Sequence, residues 1–145
     1  MRSAALFRRP DGAQDSVLVR CPHAVGWPPE APLELSPAED GPALRSLAAR
    51  LPVRLSRGGW ERPGLPSEVA APCLAVPLAC PGEPARALAL FGAHVTGTDI
   101  GADEIELLHE TATRAAEAYA RAETDLLRRE VAALRARLAR LDAAE

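Results

Sequence analysis

At 145 residues, 48% hydrophobic and 3% aromatic, with a net charge of −3, the chain has one domain's length, a core of Leu, Val and Ala, and the wrong sign for a general nucleic-acid binder. No run reaches the roughly 18 apolar residues of a membrane span, and the opening MRSAALFRRPDG has too short an apolar stretch for a signal peptide. All 17 basic residues are Arg, a compositional bias rather than a binding signal, and three cysteines (Cys21, Cys73, Cys80) are too few for a disulfide framework, so a cytoplasmic location is expected.

Two short apolar runs, Ser3–Phe7 and Ser16–Arg20, flank RRPDGAQD. Pro-Asp-Gly between such runs predicts a turn, so the first element reads as a β-hairpin. Five prolines between Cys21 and Pro37 leave that segment only loop and short extended pieces. SPAEDGPALRSLAARL follows as a short helix, with Leu44, Leu47, Ala48 and Leu51 at helical spacing. Pro52 stops it, PVRLSR reads as an edge strand, and RGGWERPGLPSE, carrying Trp60, is a loop.

Two stronger strands come next, Cys73–Cys80 and Ala85–Phe91, joined by PGEP. In the first, Leu74, Val76, Leu78 and Cys80 share one face, while Cys73, Ala75, Pro77 and Ala79 share the other. In the second, Leu88 and Leu90 oppose Ala87, Ala89 and Phe91. Both faces are apolar, which predicts a sheet covered on both sides, with an alanine-lined face that lets a helix approach closely.

From Ala102 to Leu141 neither Pro nor Gly interrupts the sequence, which predicts one helix about 60 Å long. Its first half carries the stripe Ile105, Leu108, Ala112, Ala115, Tyr119 and Ala122. The second half carries a stripe shifted by about one position: Leu127, Val131, Leu134, Leu138 and Leu141. With Val131 and Leu138 at a and the three leucines at d, a parallel homodimer sets Glu123 against Arg128, Glu130 against Arg135 and Arg137 against Asp142, all of opposite charge. An antiparallel pair sets e against e and g against g, juxtaposing like charges. The predicted partner is therefore a second copy held through parallel C-terminal helices.

The stretch LAVPLACPGEPARALALFG followed by ADEIELLHETATRAAEAYARAE resembles the C-terminal half of a GAF domain, where a VPL strand and a glycine-ended strand precede an acidic helix start and a long alanine-rich helix. The likeness runs from Ala71 to Arg128 and is looser over residues 3–70. It departs from the family in beginning its first strand almost at Met1, where GAF domains open with one or two helices; the sheet face those helices would cover is left for a partner chain. The resemblance implies an α+β fold: a GAF-like antiparallel sheet covered by helices, with a long C-terminal helix extending into a coiled coil. The expected organisation is a GAF-like domain over 1–119 and a helical dimerisation segment over 120–145. A small-molecule pocket under the Trp60 loop is also implied, with Trp60, His23 and His94 as the ligand-binding residues.

Against those roles stand simpler readings. His94 lies in the joint FGAHVTG, where a His more often satisfies loop carbonyls, and Gly101 reads as the following helix's N-cap with Glu104 at N3. Cys21-Pro22-His23 supplies two metal ligands with no matching second pair, so no metal is expected. Cys80 reads as core and Cys73 as the accessible, reactive thiol. The Asn- and Lys-containing motif of cyclic-nucleotide-binding GAF domains is missing, no cysteine suits bilin attachment, and the cysteine contexts of free methionine sulfoxide reductases are absent. The sequence therefore predicts a non-catalytic sensory or regulatory module without a cofactor. The alternatives are a purely structural dimerisation domain and a thiol-based redox sensor or reductase using Cys73 or Cys21.

Overall fold

A computed structural model describes residues 1–9, 17–29, 31, 34–35, 37–56 and 70–142. The elements, in order, are β1 (Ala4–Arg8), β2 (Leu18–Val25), β3 (Glu34–Leu35), α1 (Pro37–Ala49), β4 (Val53–Arg54), β5 (Pro72–Leu78), β6 (Ala87–Gly92) and α2 (Ala102–Asp142). The strands form one sheet in the order β3-β2-β1-β6-β5-β4, antiparallel at every described pairing. The two hairpins meet at the central β1–β6 pair, in register from Ala4↔Phe91 to Arg8↔Ala87. The Pro-Asp-Gly turn and the Trp60 loop lie outside the described residues.

β2 is longer than the proline count suggested: it runs through Cys21, Pro22 and His23 to Val25. Proline lacks a backbone N–H, so it survives in a sheet only where no ladder bond is demanded. Pro22 falls where the β1–β2 register shifts, between Ala5↔Ala24 and Phe7↔Arg20, and β3 pairs only with Leu18 and Val19. Pro77 in β5 follows the same logic. Cys73 O accepts from Leu55 N and Ala75 O from the Ser46 hydroxyl, so by alternation Pro77 directs its N toward the β4 side, beyond the short β4 ladder.

Both faces of the sheet are covered, each by its own cluster. On the α1 side pack Ala5, Phe7, Leu18, Leu35, Ala43, Leu55, Ala75, Leu88 and Leu90, with Leu44, Leu47 and Trp27 against them. On the α2 side pack Cys73, Leu74, Val76, Ala93, Ile100 and Ala112, with Leu78, Phe91, Ile105 and Leu108. The long helix therefore lies on the leucine face of β5, beside the alanines of β6, and the β5 alanine Ala75 faces α1. α2 lies along β5; farther across that face Leu6 and Val19 are half-buried and Val25 is exposed.

Two buried hydroxyls pin the layers. Ser46 Oγ lies 2.6 Å from Leu51 O and 3.2 Å from Ala75 O, tying α1 and its C-terminal turn to β5. Ser3 Oγ donates to Ala70 O. That contact is why Gly92 has no side chain: a Cβ there would run into the Ser3 hydroxyl and, at 2.8 Å, Ala70 O. α1 ends at Arg50, a non-glycine residue with φ of 56°, in the left-handed position usually taken by glycine and costing other residues about 1–2 kcal/mol.

α2 spans 41 residues, about 61 Å at 1.5 Å per residue. After Ala112 the half-buried residues of α2 are Thr113, Ala116, Glu117, Ala120 and Glu123, whereas Ala115, Tyr119 and Ala122 are exposed. The strict alternation of three- and four-residue steps drifts off the 3.6-residue turn, which is why the sequence stripe pointed to the wrong alanines. Counting from Ala120 in steps of four and three passes Thr124 and reaches Leu127, Val131 and Leu134. The two stripes thus lie on the same side of the helix, without the shift expected from sequence.

Candidate functional site

The corner between β6 and α2 is built from hydrogen bonds that fix the helix start. Gly92 N donates to Ser3 O at 2.8 Å and Arg2 N to Ala93 O at 2.7 Å, carrying the β1–β6 ladder past the strand ends. The Arg2 guanidinium then donates to His94 O at 3.1 Å and to Val95 O at 2.9 Å. Across the corner His94 Nε2 lies 2.9 and 3.0 Å from the two Glu104 oxygens. Glu104 also accepts from Gly101 N at 2.7 Å, the reciprocal half of a capping box whose N-cap is glycine. His94 therefore clasps the first turn of α2. The Arg54 guanidinium adds a bond to Ile100 O at 2.7 Å, tying the edge strand to the same corner.

Glu104's carboxyl is held below the usual carboxylate range, first by the Gly101 N–H and second by the His94 bond. A depressed folded-state value contributes stability above the unfolded carboxylate's value, and that contribution is lost as pH falls through the folded one. Glu104→Gln should therefore lower the urea midpoint at neutral pH and have progressively less effect as pH falls below the carboxylate range. An equal deficit across that whole range would show that the carboxylate's charge is irrelevant at this corner.

The residues expected to bind a ligand do not come together among the described residues. His23 is exposed on β2, His94 is engaged with Glu104, no described interaction joins the two, and Trp60 lies outside the description. Trp27, which sequence reasoning passed over, is the better-placed indole. It stacks edge-on to Phe7 with centroids 5.7 Å apart, lies under the Arg20 guanidinium at 5.9 Å, and buries its Nε1 with no hydrogen-bond partner among the described residues.

The thiols are also redistributed. Cys73 is buried at 8% exposure, and Cys21 and Cys80 are partly exposed. The register shift between Pro72 and Leu74 breaks the alternation that assigned Cys73 to the opposite face, and both residues enter the α2-side cluster. The accessibility expected of Cys73 is thus not found.

A cleft of about 350 Å³ opens on the α1 side of the sheet, lined by Arg9, Leu44, Leu47, Ala48, Arg50, Pro84 and Ala85. Beyond it, the described residues hold no helix long and apolar enough to cross a membrane. The free half of α2 leaves Leu127, Val131, Leu134, Leu138 and Leu141 each 45% to 61% exposed.

These features define an α+β fold of GAF-like architecture: a mixed-length antiparallel sheet between a short helix and a long C-terminal one. No family model and no curated protein matches the sequence. Its structure is similar to the crystal structure of the GAF domain/HD domain protein from Geobacter sulfurreducens, with a TM-score of 0.59 and 15% identity over 79% of this chain and 77% of that one. At that identity the likeness establishes the fold.

Proposed function

We propose that the chain is a non-catalytic sensory or regulatory module of the cytoplasm, pairing with a second copy through the free half of α2 and taking a small ligand. What supports this most is the seam Leu127–Val131–Leu134–Leu138–Leu141, exposed and outside both core clusters. A soluble chain that keeps five large apolar residues in one line on a helix has a surface suited to a partner. The charges beside the seam favour a parallel pair, since all three cross-chain pairings are opposite in sign; at under about 1 kcal/mol each they select orientation rather than supply the affinity.

One observation favours the antiparallel arrangement. The seam lies on the same side of α2 as the sheet, so antiparallel helices would keep the two sheets at opposite ends, although centring the pair on Leu134 sets Arg135 against its own copy. Cross-linking of Leu138→Cys distinguishes them. In a parallel pair the two Cys side chains meet, and mild oxidation should join the chains in high yield, unlike the parent protein with its native cysteines. A dimer by sedimentation that fails to cross-link would exclude the parallel pair, and a monomer would overturn the assembly.

A further inference from the structure

We infer that the cleft between α1 and the β5–β6 hairpin binds a small organic monoanion, a carboxylate with an aliphatic body. The inference deepens the ligand-responsive reading above by giving it a site and a ligand class. Most of the lining is apolar: Leu44, Leu47 and Ala48 from α1, Pro84 and Ala85 from the hairpin. At its rim stand Arg9, just past β1, and Arg50, just past α1. Among the described residues neither guanidinium has an anionic partner, although six ion pairs engage other side chains, Arg86, Arg114, Arg121 and Arg128 among them. The volume of about 350 Å³ falls at the small end of the range for ligand pockets, and a guanidinium fork matches a carboxylate's two oxygens.

Arg50 carries the second, independent observation. Its φ of 56° is where glycine terminates a helix without strain, so the sequence holds a large cation in a conformation that disfavours it. Strain retained at a cleft rim points to a use for the side chain. Nothing else in the described structure uses it: Arg50 makes no described side-chain hydrogen bond or ion pair.

The cleft is also wired to the long helix. Ala85 in its wall precedes Arg86, whose guanidinium binds Glu123 of α2 at 2.7 Å and lies 3.8 Å from Glu83. Arg9 N donates to Arg86 O at 3.1 Å. An anion drawn between Arg9 and Arg50 pulls on the residues that flank Arg86. Glu123 is the position that faces Arg128 of the second copy in the parallel seam, so occupancy bears directly on assembly.

The test is a titration of the full isotope-labelled chain with octanoate and separately with octanol, followed by amide chemical shifts. Octanoate should shift Arg9, Leu47, Ala48, Arg50 and Ala85 saturably and bind at least tenfold more tightly than octanol. Arg50→Gly should weaken octanoate at least tenfold while leaving thermal stability equal or higher, a combination that a structural arginine would not give. Arg9→Ala should weaken it similarly. Equal binding of octanol, unchanged affinity in both variants, or shifts confined to other residues would overturn the site. Sedimentation of the same samples separates this from the assembly: a monomer that binds octanoate keeps the cleft and loses the seam, and a dimer that does not bind it does the reverse.

Discussion

Leu134→Glu should break the proposed pair into monomers without unfolding the chain. Leu134 is 61% exposed in the single chain and contributes to neither core cluster, so its loss removes nothing from the sheet. In a paired seam the same side chain is a central d residue, and two carboxylates there would have to be desolvated or protonated at a cost of several kcal/mol. Association should weaken by at least about a hundredfold, which is about 2.7 kcal/mol. Sedimentation velocity reads the subunit number, and circular dichroism reads the fold. Glu is a good helix former, so loss of helix is not a trivial route to the same result. A variant that stays dimeric at the parent's concentrations would relocate the interface away from α2.

Phe7→Ala should be the most damaging single truncation on the opposite side of the sheet. Phe7 is 0% exposed, sits on the central strand opposite Leu88, and supports the Trp27 ring. Deleting a buried aromatic costs about 3–5 kcal/mol, a large part of the roughly 5–15 kcal/mol by which domains are stable. Its neighbour Leu6 points to the other face and is only half-buried, so Leu6→Ala should cost less than half as much. Urea midpoints of the two variants make the comparison, and equal losses would mean that the α1-side cluster is not the principal core.

The contrast between Leu6 and Phe7 also marks what could be read from sequence. Period-two apolar patterning on both faces of β5 and β6 predicted a doubly covered sheet, and the strands pack in that way. The acidic start at Ala102 and the unbroken run after it located α2 to within a residue at its first turn, because caps and breakers are local signals. Gly101 and Glu104 likewise declared their roles, and His94 holds the joint, though through the Glu104 carboxylate rather than the loop carbonyls expected of it, which Arg2 binds instead.

What escaped depended on register. Pro22 reads as a strand breaker until the β1–β2 shift excuses its missing N–H; Cys73 reads as accessible until the β5 shift rotates it inward. Ala115 and Tyr119 read as sheet-facing until the helix lies down with Ala116 and Ala120 beneath it. The cleft was invisible for a different reason. Its residues come from the end of β1, the second half of α1 and the β5–β6 turn, which no local pattern brings together, and the left-handed Arg50 gives no sign of itself in a string of letters.

The unbroken length of α2 has a consequence for how this module can be joined to others. Its sheet-anchored turns end near Glu123, held by Arg86, and the exposed seam begins at Leu127, with no proline or glycine between them to absorb rotation. The connection behaves as a rigid shaft. One residue inserted there would turn the seam about 100° around the axis, aiming it away from any partner, whereas seven would advance it about 10.5 Å and nearly restore its heading. Natural length variation at this joint, and any fusion made through it, should therefore be tolerated in heptad steps and penalised between them, so that the linker is geared by phase rather than by composition.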